Sequence, residues 1–117
     1  MNSVVRAALL LLLAPSALAQ ERNQSVAEIR TQVTSDTACD HRSYPELEAT
    51  IHVCKDEMTA WYFTIPTATL PPGYIRRAMV KENNSWIMRT TSNWEGEDAL
   101  QPNFDRWAAR IANSIGR

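Results

Sequence analysis

Two short runs, Cys39-Asp40-His41 and His52-Val53-Cys54, hold most of the metal-ligating chemistry of the chain, each placing a histidine two positions from a cysteine. Thiolate, imidazole and carboxylate together suit zinc or copper, and Asp36 or Asp40 would add the carboxylate. The spacing follows no zinc pattern, however, and a Cys39–Cys54 disulfide would withdraw both thiolates. That oxidised form is the expectation, because the chain reads as exported and closing a loop of about 15 residues is worth roughly 3 kcal/mol. A Cys-x-x-Cys redox pair is absent. His41, His52 and Asp40 remain as a secondary metal set, with His52 read as a partly exposed strand residue and His41 as a loop residue. No cofactor is expected.

Hydrolysis requires a nucleophile beside a base, or two carboxylates held across a cleft. The chain has no Gly-x-Ser-x-Gly elbow, 2 histidines and 3 glycines, and phosphate loops and tight active-site turns usually need glycine. Glu46 with Glu48, or Glu95, Glu97 and Asp98, are the candidate acid–base groups, and solvated loops account for them more simply. No catalytic residue is assigned, and a small secreted hydrolase is the last of three functional alternatives.

A binding surface has more physical support. Tyr74, Arg76 and Arg89 fall on one face of a predicted hairpin, where the two arginines are diagonal neighbours roughly 7 to 8 Å apart. Two like charges so placed call for a counter-charge from a partner or anion, unless they reach solvent or pair with nearby glutamates. Trp94 lies beside Gly96 in an acidic loop and would serve either as an exposed contact anchor or as packing under the last helix. Trp61 and Trp107 sit on apolar faces and read as core. Asn23-Gln24-Ser25 and Asn83-Asn84-Ser85 are glycosylation sequons in a eukaryotic source alone.

The elements that must position these groups follow from periodicity. Ser25-Val26-Ala27-Glu28 fits a reciprocal capping pattern, and Val26, Ile29 and Val33 make one stripe, predicting a helix over 25–34. Residues 35–46 are polar, carry Pro45 and read as a loop held at Cys39. From Leu47, an apolar set of Leu47, Ala49, Ile51 and Val53 alternates with Glu48, Thr50, His52 and Cys54 as a half-buried strand. Ser43 with Glu46 offers a rival helical turn over 44–50. Lys55-Asp56-Glu57 is a turn into a second strand, Met58 to Ile65, with Trp61, Phe63 and Ile65 on one face.

Pro66, Pro71, Pro72 and Gly73 make the next stretch a loop. Tyr74 to Lys81 and Trp86 to Ser92 then form a second hairpin, closed by Asn83 and Asn84, which tolerate the left-handed backbone of a two-residue turn. That turn sets Val80 opposite Ile87, Met79 opposite Met88 and Lys81 opposite Trp86. One face then holds Ile75, Met79, Met88 and Trp86, and the other Tyr74, Ala78, Val80 and Ile87 with the two arginines. Phe104, Trp107, Ala108, Ile111 and Ile115 form the stripe of a closing amphipathic helix, with Gly116 as its stop. The expected fold is α+β: helix, four antiparallel strands in two hairpins, and a C-terminal helix packed on one face.

Residues 1–19 read as a cleavable export signal: Arg6, the apolar run Ala7 to Leu13, Pro15, and Ala17-Leu18-Ala19 before a cut at Gln20. The apolar run is about half of the roughly 20 residues that a membrane span requires. No cysteine follows the cut to accept a lipid, so a single small domain over 20–117 is expected free in the periplasm or outside the cell, from a bacterial source. Removing Arg6 from 12 basic residues against 13 acidic ones leaves a near-neutral balance, without the concentrated basic field of a nucleic-acid binder. The leading expectation is a non-catalytic binding protein, such as an inhibitor, immunity factor or accessory subunit, with a protein partner or self-association and no nucleic acid or membrane. A periplasmic metal-binding protein is the alternative.

Overall fold

The computed structural model describes residues 24–115; the expected export signal over 1–19 and the expected helix stop at Gly116 lie outside them. The elements run α1 (Val26–Ser35), β1 (Cys39–Tyr44), β2 (Ala49–Cys54), β3 (Thr59–Thr64), β4 (Gly73–Glu82), β5 (Ser85–Trp94) and α2 (Gln101–Ile115). The strands form one antiparallel sheet in the order β1-β2-β3-β4-β5. The fold is therefore α+β, with five strands where four were expected.

The extra strand is β1. Residues 35–46 were expected as a loop because Cys-Asp-His-Arg-Ser-Tyr carries no apolar alternation. The strand forms through non-local constraints instead: Cys39 lies directly opposite Cys54 in the ladder and is bonded to it, with Cα atoms 4.1 Å apart. His41 accordingly sits in an edge strand, not a loop. Pro45 ends that strand and opens a short 3-10 turn, Pro45–Leu47, closed by Glu48 in the left-handed region at φ 52°. The predicted rival turn thus exists in reduced form, and β2 begins at Ala49 rather than Leu47. Lys55–Glu57 repeats the same device, with Met58 left-handed at φ 50°.

Two helices cover the two faces of the sheet. α1 starts at a reciprocal cap, in which the Glu28 N–H donates to Ser25 Oγ (3.0 Å) and the Ser25 N–H donates to Glu28 Oε1 (2.8 Å). Its Val26, Ile29 and Val33 pack with the disulfide, Trp61, Phe63 and Tyr74. Arg30 lies over the Phe63 ring and donates to the Thr64 carbonyl at 2.8 Å; burial lowers its pKa.

On the opposite face Phe104, Trp107 and Ile111 of α2 pack against Ala49, Tyr62 and Ile75. The Trp107 indole N–H reaches the carbonyls of Leu47 (3.0 Å) and Glu48 (3.1 Å), and Arg110 pairs with Glu48 at 2.6 Å, tying α2 to the β1–β2 turn. Gly73 permits the close approach of α2, since a Cβ there would lie 2.5 Å from the Phe104 ring. Among the described residues, no helix is long and apolar enough to cross a membrane.

With α1 over one face and α2 over part of the other, the alternation of β2 does not carry the expected meaning. Thr50, His52 and Cys54 are buried under α1, while Val53, on the face expected to be apolar core, is 41% exposed.

Candidate functional site

The β4–β5 hairpin reaches past the rest of the sheet. β3 pairs with β4 from Tyr74 to Ala78, and the Met79 N–H then donates to the Met58 carbonyl at 3.0 Å. Beyond Met79 the ribbon consists of β4 and β5 alone. Asn83 and Asn84 take φ 51° and 66° in its two-residue turn, the left-handed pair that matches the twist of the flanking strands. The register is the expected one, with Lys81 opposite Trp86, Val80 opposite Ile87 and Met79 opposite Met88.

Alternation places Ile75, Arg77, Met79 and Lys81 of β4 on the α2 side together with Trp86, Met88, Thr90 and Ser92 of β5. α2 covers only the Ile75 end. A 15-residue helix spans about 22 Å, whereas a 10-residue strand spans roughly 33 Å, so the helix runs out before the hairpin does. Trp86 is left 52% exposed and Met88 45%, with Met58 and Val53 also exposed toward the same end of the sheet. Lys81 Nζ stands 6.0 Å from the Trp86 ring centroid. Between this patch and α2 lies a groove of about 390 Å³ lined by Ile75, Arg77, Thr90, Ser92, Ala112 and Ile115. The charges on this face of the hairpin are Arg77 and Lys81, both positive.

Tyr74, Arg76 and Arg89 share the α1 face of the hairpin, with the two arginines diagonal as expected, but with Trp94 they do not form one open surface. Tyr74 is 1% exposed and belongs to the core. Arg76 lies over the Trp61 ring at 5.5 Å. Arg89 pairs with Glu82 two registers along the hairpin, so its counter-charge is internal. Trp94 lies opposite Gly73 on the α2 side, away from the arginines, and stacks on Phe104 with centroids 6.2 Å apart. Of its two expected placements, packing under the last helix is the one observed.

The histidines do converge. His41 is opposite His52 in the β1–β2 ladder, and their rings stack with centroids 5.2 Å apart. His52 is buried at 2% exposure rather than half exposed, because α1 lies over it and the Phe63 ring meets it edge-on. Among the described residues, neither of its ring nitrogens has a hydrogen-bond partner. Burial, then the charges of His41 and Arg30, lower its pKa to about 4. Asp40, adjacent in the strand, points to the opposite face, and the described residues contain no group of three or more metal-ligating side chains. Of the candidate acids, Glu48 is bound to Arg110.

Sequence reasoning named Met79, Met88 and Trp86 as one face but not as a surface. The available signal was length, since the stripe from Phe104 to Ile115 is too short to cover strands that reach from Gly73 to Trp94. No family model, curated protein or solved structure matches the chain.

Proposed function

We propose that this chain is an exported, non-catalytic binding module acting through the uncovered α2-side face of its β4–β5 hairpin. The observation carrying this reading is the adjacency of exposed Trp86 and Met88 on a two-stranded ribbon. Tryptophan supplies large contact area at low entropic cost, and methionine adapts its shape to a partner. Apolar surface of this kind, open on a small domain, is characteristic of interaction sites. An inhibitor, immunity factor or accessory subunit would use such a surface. The signal at residues 1–19 supports export, with which the Cys39–Cys54 disulfide is compatible.

The test is site-specific photocrosslinking in cells expressing the full chain, with a photoreactive residue at position 88 or 86 and, as a control, at Asp105 on the exposed side of α2. Discrete adducts from 88 and 86 but not from 105 are expected. Equal labelling from all three positions, or none from the hairpin, overturns the reading.

A second reading is favoured by the 5.2 Å approach of His41 and His52, which supplies two imidazole donors for zinc or copper. Asp40 does not join them, and the nearby Arg30 opposes a bound cation. Titration of the purified domain with Cu(II) or Zn(II), followed through the histidine ring proton resonances, decides it. Unmoved resonances remove metal binding.

A further inference from the structure

We infer that the partner on the hairpin face is a second copy of this chain, joined antiparallel along β5; the inference rests on the binding reading above. β5 is an edge strand of 10 residues. Natural edges are blunted by lysine, proline, bulges or short length. β5 contains neither lysine nor proline, and its register with β4 is unbroken from Ser85 to Trp94. Its one charge, Arg89, is neutralised by Glu82. The opposite edge differs: β1 has 6 residues, carries Asp40 and Arg42, and stops at Pro45.

The hydrogen-bonding phase of β5 follows from Met79. Its N–H is directed to Met58 on the β3 side, so Met79 and Met88 form a non-hydrogen-bonded pair. Such pairs alternate with bonded ones along an antiparallel ladder. Trp86, Met88, Thr90, Ser92 and Trp94 therefore turn their backbone groups outward, and these are the residues whose side chains lie on the α2 side. The Glu95 N–H, which reaches Pro72 on the β4 side, agrees with this phase.

A two-fold axis perpendicular to the sheet keeps equivalent faces together and allows only pairings centred on one residue. Centring on Arg89 sets Trp94 opposite the turn residue Asn84, beyond the start of β5, and leaves its outward backbone groups unpaired. Centring on Thr90 pairs Trp86 with Trp94 and Met88 with Ser92 of the second copy, and satisfies roughly ten outward backbone groups in each copy. This register also matches shapes. Ser92 lines the apolar groove beside Ala112 and Ile115, so each Met88 arrives at the groove of the other copy. Each Trp86 arrives beside the Trp94–Phe104 stack. The exposed patch and the groove are thus complementary halves of one isologous interface, and the product is a continuous ten-stranded sheet.

Sedimentation equilibrium on the purified domain across a concentration series is expected to show a monomer–dimer equilibrium. Thr90→Pro removes an outward N–H without breaking the β4 ladder and is expected to raise the dimer dissociation constant at least about tenfold. Because a proline variant can misfold, register is tested separately: Thr90→Cys is expected to form a disulfide between copies on mild oxidation, and Arg89→Cys is not. A monomer at every concentration, or equal cross-linking from both cysteine variants, overturns the inference. If the domain is monomeric but position 88 yields a discrete adduct with a different protein, the second copy is excluded and the binding reading survives. If position 88 yields no adduct, both fail.

Discussion

His41 and His52 face each other across β1 and β2 with rings 5.2 Å apart, yet their environments are opposite: His41 is exposed at the sheet edge, and His52 is sealed beneath α1. Burial, reinforced by the positive charges of His41 and Arg30, lowers the His52 pKa from 6.5 to about 4. In the unfolded chain the ring protonates near 6.5, whereas in the folded chain it resists until about 4. The folded state therefore binds fewer protons within that window, and stability falls as pH drops through it. Above 6.5 this contribution is fully present. A depression from 6.5 to about 4 corresponds to about 3 kcal/mol lost at the acid end. Urea unfolding at pH 7.5, 5.5 and 4 should show the decline, and His52→Phe, which keeps the contact with Phe63, should flatten it. An unchanged pH slope in that variant would assign the acid sensitivity elsewhere.

The disulfide fastens an edge strand that has little else to hold it. Cys39 opposes Cys54 with a sequence separation of 15, while β1 contributes few buried side chains of its own. Cys39→Ser with Cys54→Ser should cost roughly 3 kcal/mol. Hydrogen exchange should accelerate first over β1, because its ladder with β2 would then rest on backbone bonds and the histidine stack. Uniform acceleration across the whole sheet would show instead that the brace supports global stability and not the edge.

Local chemistry explains which parts of this structure could be read in advance. The β4–β5 register was legible because two asparagines dictate one turn, and one turn dictates every pair along the hairpin. α1 was legible from its cap and from three residues at helical spacing. β1 was not, because its place depends on Cys54 and His52, which lie beyond an intervening turn. The burial of His52 was hidden for a related reason: β2 alternates as though one face were solvated, and only the docking of α1 covers the other. The apolar content of the Met79–Met88–Trp86 face was visible from the register. Its exposure depends on where α2 ends over the strands, which follows from comparing the length of the helical stripe with that of the hairpin and not from the pattern within either element.

Gly73 is a packing requirement rather than a turn. A Cβ there would stand 2.5 Å from the Phe104 ring and 2.9 Å from the Asn93 carbonyl. The ring belongs to the α2 core and the carbonyl to the β5 ladder, so neither yields easily. Gly73→Ala should destabilise the fold by about 1–3 kcal/mol, read from the denaturation midpoint. Phe104→Leu in the same background should recover part of the loss by relieving the ring contact. Absence of any recovery would move the strain to the backbone side.

Two tryptophans separate support from display. Trp107 is 1% exposed, packs against Phe104 and places its indole N–H on the Leu47 and Glu48 carbonyls. Trp107→Ala should therefore cost about 3–5 kcal/mol, with a cavity and two carbonyls left without their donor. Trp86 is 52% exposed on a ribbon that α2 does not reach, and its contact is the Lys81 ammonium. Trp86→Ala should leave stability within about 0.5 kcal/mol, and Met88→Ala the same. Both hairpin variants should nonetheless lose most of the crosslinked adduct formed from a photoreactive residue at the other position. Paired unfolding and crosslinking measurements decide the matter. If Trp86→Ala destabilises as much as Trp107→Ala, its indole is part of the core and the hairpin is not a display surface. If it leaves both stability and crosslinking unchanged, partner recognition lies elsewhere on the sheet.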